Sequence, residues 1–303
     1  MKKIPLGKSG LQVPAVAVGC MRINRLGAAE AERFVAAALE RGMNFFDHAD
    51  IYGGGACEEI FAKAYGSRPR DGVILQSKCG IRKGQYDFSR AHILASVDGI
   101  LTRLETDYLD VLLLHRPDAL AEPEEVAAVF DELKSSGKIR HFGVSNHNPM
   151  QMRLLRKHLS VPLVANQLQF GLGHASMVAE GTHVNMLDDA ASVRDGGVLD
   201  YCRLHDVTVQ PWSPFQHGFF RGPFIGSEHH GALNEKLEAL AANYGADSTA
   251  IALAWVLRHP AKMQPVIGTM DLGRLASCAK AADIALSRED WYALYLAAGN
   301  TLP

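Results

Sequence analysis

Residues 73–115 read VILQSKCGIRKGQYDFSRAHILASVDGILTRLETDYLDVLLLH. Two compact apolar runs, VILQSK and YLDVLLLH, flank SRAHILASVDGILTRLE, whose apolar residues recur at helical spacing. Strand, helix and strand in this order form a parallel pair joined by a right-handed crossover. The same rhythm runs outward in both directions. Upstream, AVAVGCM precedes AAEAERFVAAALERG, and NFFDHA precedes EEIFAKAYG. Downstream, YLDVLLLH precedes PEEVAAVFDELKSSGK, with Pro123 suited to a first helical turn. IRHFGVSN precedes PMQMRLLRKHL, and PLVANQLQF precedes a stretch ending VLDYCRLHD. VTVQPWSP leads into NEKLEALAANY and IALAWVLRHP, and MQPVIGTM into GRLASCAKAADI.

About eight strand–helix units predict an α/β fold of the closed (β/α)8 TIM-barrel type. The competing arrangement is a doubly wound open sheet. It would announce a dinucleotide site by GxGxxG after its first strand, a run this chain lacks. The opening KIPLGKSGLQVPAVAVG reads as an N-terminal β-hairpin turned at residues 7–10. No Pro/Gly/Ser-rich linker divides the chain, so residues 1–303 are expected to form one barrel domain.

Composition narrows the function classes. The chain is 48% hydrophobic and 21% charged, with a formal net charge of −2. That balance gives no electrostatic reason to expect nucleic acid or an acidic membrane as partner. Without a signal-type apolar core in MKKIPLGKSGLQVP or an apolar run of membrane length, the expected compartment is the cytoplasm. The five cysteines (20, 57, 79, 202 and 278) form no CxxC pair, and their odd count argues against a disulfide framework. No heptad or exposed apolar stripe declares an oligomeric partner.

The polar residues that end the apolar runs carry the chemistry. Asp47 ends the second run, Lys78 the third and His115 the fourth; Ser145 and Asn146 end the fifth. The sixth carries Asn166 and Gln167, the seventh gives Trp212 and Ser213, and the eighth Thr269. In a (β/α)8 barrel all of these face one mouth. Residues 44–55, NFFDHADIYGGG, add Tyr52 to Asp47. A buried lysine needs a counter-charge, which Asp47 on the neighbouring strand supplies. An ammonium beside a tyrosine lowers its pKa from about 10. Such a tyrosine is a proton donor, and His115 can orient the same substrate oxygen. The set holds no nucleophile, so it fits carbonyl reduction better than acyl transfer.

The competing reading is a metal hydrolase seeded by Asp47, His48, Asp50 and His115. Its later strand ends would have to supply further His or Asp, whereas here they supply Ser, Asn, Gln and Trp. No metal is expected. His48 reads as packing or as a support behind the site, Asp50 as a loop or helix-cap residue, and the three glycines as room for a turn.

With these motifs in order, the chain resembles the aldo-keto reductases over nearly its whole length. The matching segments are NFFDHADIYG, QSKCG, LLLHRPD, GVSN, NQLQF, PWSPF at 211–215 and IGTMDLGRL at 267–275. The resemblance implies a barrel that binds NADPH without a Rossmann domain and reduces a small-molecule aldehyde or ketone. It implies Tyr52 as general acid, Lys78 as its neighbour, Asp47 as the partner of Lys78, and His115 as the orienting group. Ser145, Asn146 and Gln167 would hold the nicotinamide carboxamide, and Trp212 would stack on the ring. Ser213, with Pro214 and Phe215 after it, would meet the pyrophosphate. Gly268, Thr269 and Arg274 would meet the 2′-phosphate end. Many members carry a lysine where this chain has Gly268, and Ser277 and Cys278 replace acidic and amide residues. Arg274 remains, so NADPH is favoured over NADH. A second function on the same barrel would be a cofactor-binding regulatory or channel-associated subunit with little turnover.

Specificity is expected from loops. Residues 171–197, GLGHASMVAEGTHVNMLDDAASVRDGG, read either as a substrate lid or as a surface insertion. Tyr86, Phe88, Phe215, Phe219 and Phe220 suggest a pocket for a partly apolar carbonyl compound.

Overall fold

Alternation along the strands decides how this chain packs, because successive side chains point to opposite faces of a sheet. In a computed structural model, which describes residues 1–219 and 221–303, eight parallel strands among the described residues close into a barrel. They are β1 (Ala17–Gly19), β2 (Phe45–Asp47), β3 (Ile74–Cys79), β4 (Leu109–Leu114), β5 (Ile139–Ser145), β6 (Leu163–Gln169), β7 (Thr208–Trp212) and β8 (Val266–Ile267). Each strand pairs with the next in chain order, and β8 closes on β1 through Val266 opposite Ala17. Closure removes the open-sheet alternative. Phe220 lies outside the described residues.

Alternation sorts the core into two clusters. Phe46, Leu75, Leu112, Leu114, Phe142 and Val144 pack with the helices, as in the stacked rings of Phe130 and Phe142, 4.0 Å apart. Phe45, Val111, Leu113, Ala165 and Val266 form the second cluster with Ile4, Leu6 and Val13 of the N-terminal hairpin. The hairpin pairs Lys3–Pro5 antiparallel with Gln12–Pro14. Its turn is tied to the barrel where Gly7 N donates to Thr208 Oγ1 at 2.7 Å.

The helices among the described residues are α1 (Ala28–Glu40), α2 (Ala56–Tyr65), α3 (Arg90–Arg103), α4 (Pro123–Ser135), α5 (Pro149–His158), α6 (Ser176–Thr182), α7 (Val198–Leu204), α8 (Gly231–Asn243), α9 (Ser248–Leu257), α10 (Leu272–Ala281) and α11 (Arg288–Ala297). Their starts follow local chemistry. Pro123 and Pro149 stand in first turns, and Asn148 with Gln151 forms a reciprocal capping box. Asp271 caps α10 by accepting from Arg274 N. No described helix is long and apolar enough to cross a membrane. All five cysteines are free and buried.

Residues 171–197 are structured rather than open: they hold α6 and a short turn at Asp189–Ala191. Their His183 bridges Asp188, 3.0 Å from Nδ1, and the Thr301 carbonyl, 2.9 Å from Nε2, which ties the insertion to the C-terminus.

Candidate active site

Three glycines with positive φ (59°, 65° and 98° at Gly53, Gly54 and Gly55) turn the chain directly after Tyr52. A side chain at Gly55 would collide with Arg103, whose Cδ lies 2.7 Å from the position a Cβ would take. Arg103 cannot easily yield, because its Nε donates to the buried Glu58 carboxylate at 2.7 Å. The turn brings the Tyr52 hydroxyl over β3, where Lys78 is fully buried. Lys78 Nζ donates to Asp47 Oδ2 at 2.8 Å, to the His48 carbonyl at 2.7 Å and to Tyr52 OH at 3.1 Å. All three ammonium protons therefore have acceptors. His115, at the end of β4, sets its ring edge-on to Tyr52 with centroids 6.0 Å apart.

A polar column continues below Asp47. Its Oδ1 accepts from Gln76 Nε2 at 2.6 Å and from Gln167 Nε2 at 3.0 Å. Gln76 also donates to Gln210 Oε1 at 2.9 Å, Gln210 donates to Gln264 Oε1 at 2.9 Å, and Gln264 donates to the Pro14 carbonyl at 2.8 Å. Each donor meets an acceptor, so the buried carboxylate is held in one orientation.

Burial and charge set the protonation states. Burial alone would push the Lys78 ammonium down; Asp47 and Tyr52 overcome it and hold its pKa above the usual value. The expectation for Tyr52 needs correction. Burial drives the phenol up, Lys78 pulls it back only in part, and Asp47 behind the lysine adds to the rise. The net shift is upward, because burial outweighs the pull of the lysine. His115 is pushed down to about 2 by burial and then by Lys78 and Arg116, so its ring is neutral at ordinary pH.

The expected cofactor residues share one cavity with this set. It measures about 920 Å³, and its wall includes Asp47, Tyr52 and His115. Ser145, Asn146, Gln167, Trp212, Ser213, Pro214, Phe215, Gly268, Thr269 and Arg274 all line it. Ser145 Oγ donates to the Gln167 carbonyl at 2.9 Å, and Asn146 Nδ2 donates to Ser145 Oγ at 2.8 Å. Trp212 Nε1 donates to Asn146 Oδ1 at 3.2 Å. Asn146 and Ser213 both take positive φ (59° and 49°), which turns the chain sharply at the rim. Lys78 lies behind this wall.

The metal alternative finds no support in the geometry. Among the described residues no three His, Cys, Asp or Glu groups converge as a metal site requires. Strand alternation separates the residues of DHAD. Asp47 faces Lys78, whereas His48 turns outward onto Phe61, with centroids 4.7 Å apart. Neither His48 nitrogen meets a hydrogen-bond partner, and burial and then Lys78 hold its pKa down to about 3. Asp50 caps no helix; burial, with Glu58 nearby, raises its pKa to about 6.

Several lining residues escape the sequence reading. Arg22 and Arg25, just after β1, line the cavity, as do Arg116, Gln216 and Thr249. The signal was present in GCMRINR, since two arginines directly follow a strand end. No residue of 171–197 lines the main cavity. His174, Met177, Arg194 and Asp195 instead wall a neighbouring cavity of about 270 Å³. The stretch over the main cavity follows β7, where Gln216, Phe219, Pro223 and Ile225 contribute. Tyr86 is exposed, and Phe88 is buried against His147 with stacked centroids 6.3 Å apart, so neither meets this cavity.

The comparisons with known proteins agree with this geometry. The model of the Aldo/keto reductase family matches residues 15–295. The chain is 34% identical to an uncharacterized oxidoreductase, YcsN, of Bacillus subtilis, covering 98% of each. It is 34% identical to a 6-dehydroglucose reductase of Agrobacterium fabrum, covering 97% of each, and 32% identical to the oxidoreductase YdhF of Escherichia coli, covering 98% of each. A crystal structure of a thermostable aldo-keto reductase with the inhibitor epalrestat superposes with a TM-score of 0.77 at 26% identity, covering 98% of this chain and 100% of that one.

Proposed function

Because the chain belongs to the Aldo/keto reductase family, a group of carbonyl-reducing oxidoreductases that use nicotinamide cofactors, we propose that it is an NADPH-dependent reductase of an aldehyde or ketone. The observation that carries this reading is the Tyr52–Lys78–Asp47 chain opening into the same cavity as the cofactor-binding candidates. The donor set suits a dinucleotide: an indole, serines, carboxamides, arginines and Thr269 share one wall with Tyr52.

When bound, the reduced nicotinamide supplies the hydride. Tyr52 donates a hydrogen bond to the carbonyl oxygen and passes its proton to the developing alkoxide. Lys78, 3.1 Å away, stabilises the phenolate that remains. Asp47 keeps that lysine charged and, through Gln76 and Gln167, correctly placed. Ser145, Asn146 and Gln167 hold the carboxamide, and Trp212 supplies the face for the ring. Ser213, Pro214 and Phe215 meet the pyrophosphate, and Gly268, Thr269 and Arg274 the 2′-phosphate. Neutral His115 donates a hydrogen bond to the same oxygen and is no proton source.

Substrate recognition falls to Met21, Ile51, Ile81 and Phe219, with Arg116 among them. That mixture supports a carbonyl compound with both apolar and polar parts. The name of the Agrobacterium relative makes 6-dehydroglucose a sensible first polyhydroxylated aldehyde to try. A cytoplasmic setting belongs to the same reading and is consistent with five free, buried cysteines.

The test is NADPH oxidation against a panel of aldehydes, dicarbonyls and ketones. Tyr52→Phe should lower kcat by about 10²–10⁴-fold, with NADPH binding retained. The rate should show no imidazole limb between pH 5 and 8, because His115 does not titrate there. Equal turnover by wild type and Tyr52→Phe on every active substrate would remove the tyrosine from the mechanism. Nucleotide binding with no turnover across the panel would instead point to a regulatory subunit.

A further inference from the structure

Strand alternation puts a second buried network on the outer face of β3, directly behind the site. Lys78 points into the barrel, so Ser77, one residue before it, points out towards the helices. There Ser77 Oγ donates to Glu58 Oε1 at 2.7 Å, and Arg103 Nε donates to Glu58 Oε2 at 2.7 Å. Glu58 is fully buried on α2, and Arg103 ends α3. The arginine stem fills the space that Gly55 leaves without a side chain, and Gly55 closes the turn that carries Tyr52. None of these four residues lines the main cavity.

We propose that Arg103 is a positioning residue for Tyr52, holding through Glu58 and Gly55 the distance at which the phenol meets Lys78. The inference rests on the reductase reading above and adds Arg103 and Glu58, which lie off the cavity. One carboxylate reaches both partners of the 3.1 Å Lys78–Tyr52 contact. Through Ser77 it holds the strand beside Lys78. Through Arg103 it holds the back of the glycine turn that follows Tyr52. The turn itself brings little rigidity. Gly53, Gly54 and Gly55 all take positive φ and carry no side chains to pack.

The charges of the network show what the guanidinium does. Burial pushes the Glu58 carboxyl up, against the pull of the Ser77 hydrogen bond and of Arg103. Asp50, whose backbone N donates to the Lys78 carbonyl at 3.0 Å, is the second acid here. Burial and then Glu58 raise it, while Ser96 and Arg103 oppose the rise. One guanidinium thus answers two carboxylates, one on each side of Tyr52 in the chain. Removing one partner of a buried pair leaves the other charge unanswered. Glu58 must then repack or take a proton, and the turn and strand that it joins become free to shift. At a reacting group, a displacement of about 1 Å costs about 10²-fold in rate.

The experiment is a double-mutant cycle between Arg103→Met and Tyr52→Phe. Its readouts are single-turnover rates on the best substrate of the panel, steady-state KM and the NADPH Kd of each folded protein. Arg103→Met should lower the rate by about 10- to 100-fold where Tyr52 is present. In the Tyr52→Phe background the same change should cost less than about twofold, with the NADPH Kd unaltered in both. Arg103→Lys, which keeps the charge and most of the stem, should recover most of the loss. Ser77→Ala breaks the strand side alone and should lower the rate by about 3- to 10-fold, again only where Tyr52 is present. That variant decides the matter if Arg103→Met does not fold. Equal proportional losses with and without Tyr52 make Arg103 a support of the fold and overturn the proposal. An unchanged rate in Arg103→Met overturns it too, as does a rise in NADPH Kd or substrate KM with the rate intact. A wild type inactive on every compound removes the reductase reading itself and this inference with it. An active wild type whose rate survives both Arg103→Met and Ser77→Ala removes the inference alone.

Discussion

Two residues along each strand separate the plugged end of the barrel from its open mouth. Phe45 gives way to Asp47, Leu113 to His115 and Ala165 to Gln167. At the plugged end, Phe45, Val111, Leu113 and the hairpin's Leu6 and Val13 gain stability from area removed from water, which carries no direction. At the mouth the Asp47 carboxylate and the buried amide donors around it meet particular partners at particular distances. Asp47 receives Gln76, Gln167 and Lys78, and Gln210 both accepts from Gln76 and donates to Gln264. The first kind of packing holds the barrel closed; the second fixes the lysine that meets the Tyr52 hydroxyl. One strand set thus carries a tolerant end and an exacting one.

The largest break in that contrast should come from Lys78→Met. It should lower kcat by about 10²–10⁴-fold and stability by about 3–5 kcal/mol, because Asp47 stays buried without its counter-charge. Steady-state kinetics and urea denaturation read the two effects. Leu6→Ala attacks the other end and should cost about 2–5 kcal/mol, with kcat unchanged well below the unfolding transition. A matching loss of kcat in the folded Leu6→Ala protein would mean that the two ends are coupled. Gln210→Leu lies between them and should cost about 1–3 kcal/mol by leaving Gln264 without its donor. The same change loosens Asp47 through Gln76, so kcat should fall by less than about tenfold, a difference visible in single-turnover rates.

The remaining effect concerns acid and leaves activity at neutral pH untouched. An unfolded histidine titrates near 6.5, whereas His48 is held down to about 3 in the folded protein. Between these values the unfolded chain binds a proton that the native protein does not. Stability should therefore fall as pH drops from about 6.5 to about 3, at about 1.4 kcal/mol per pH unit for this one group. Above pH 6.5 the group contributes no slope. His48→Leu should flatten the acid limb of a stability–pH curve, and His115 should keep part of it. An identical slope in wild type and variant would show that His48 reaches water in the native state.

Much of this was legible in the residues. The alternation of apolar runs with helical segments pointed to a closed barrel, because periods of 2 and 3.6 leave different marks in sequence. Asp47, Lys78 and His115 stood out because each polar group ends an apolar run, and the ordered motifs led to the family. Arg22 did not stand out, since an arginine after a strand is ordinary until the cavity it lines is known. Nor could residues 171–197 be assigned to the side cavity rather than the main one, because loop direction depends on which neighbours it meets. The tyrosine shows the same division. Its place beside Lys78 followed from strand order, but the direction of its pKa followed from burial, which outweighs the lysine's pull. Local pattern determines which residues share a strand end, because that depends on chain period alone. Only the tertiary structure decides how a charge is shared, whether water reaches it and which turn an arginine from another helix backs, because those depend on distances between groups far apart in the chain.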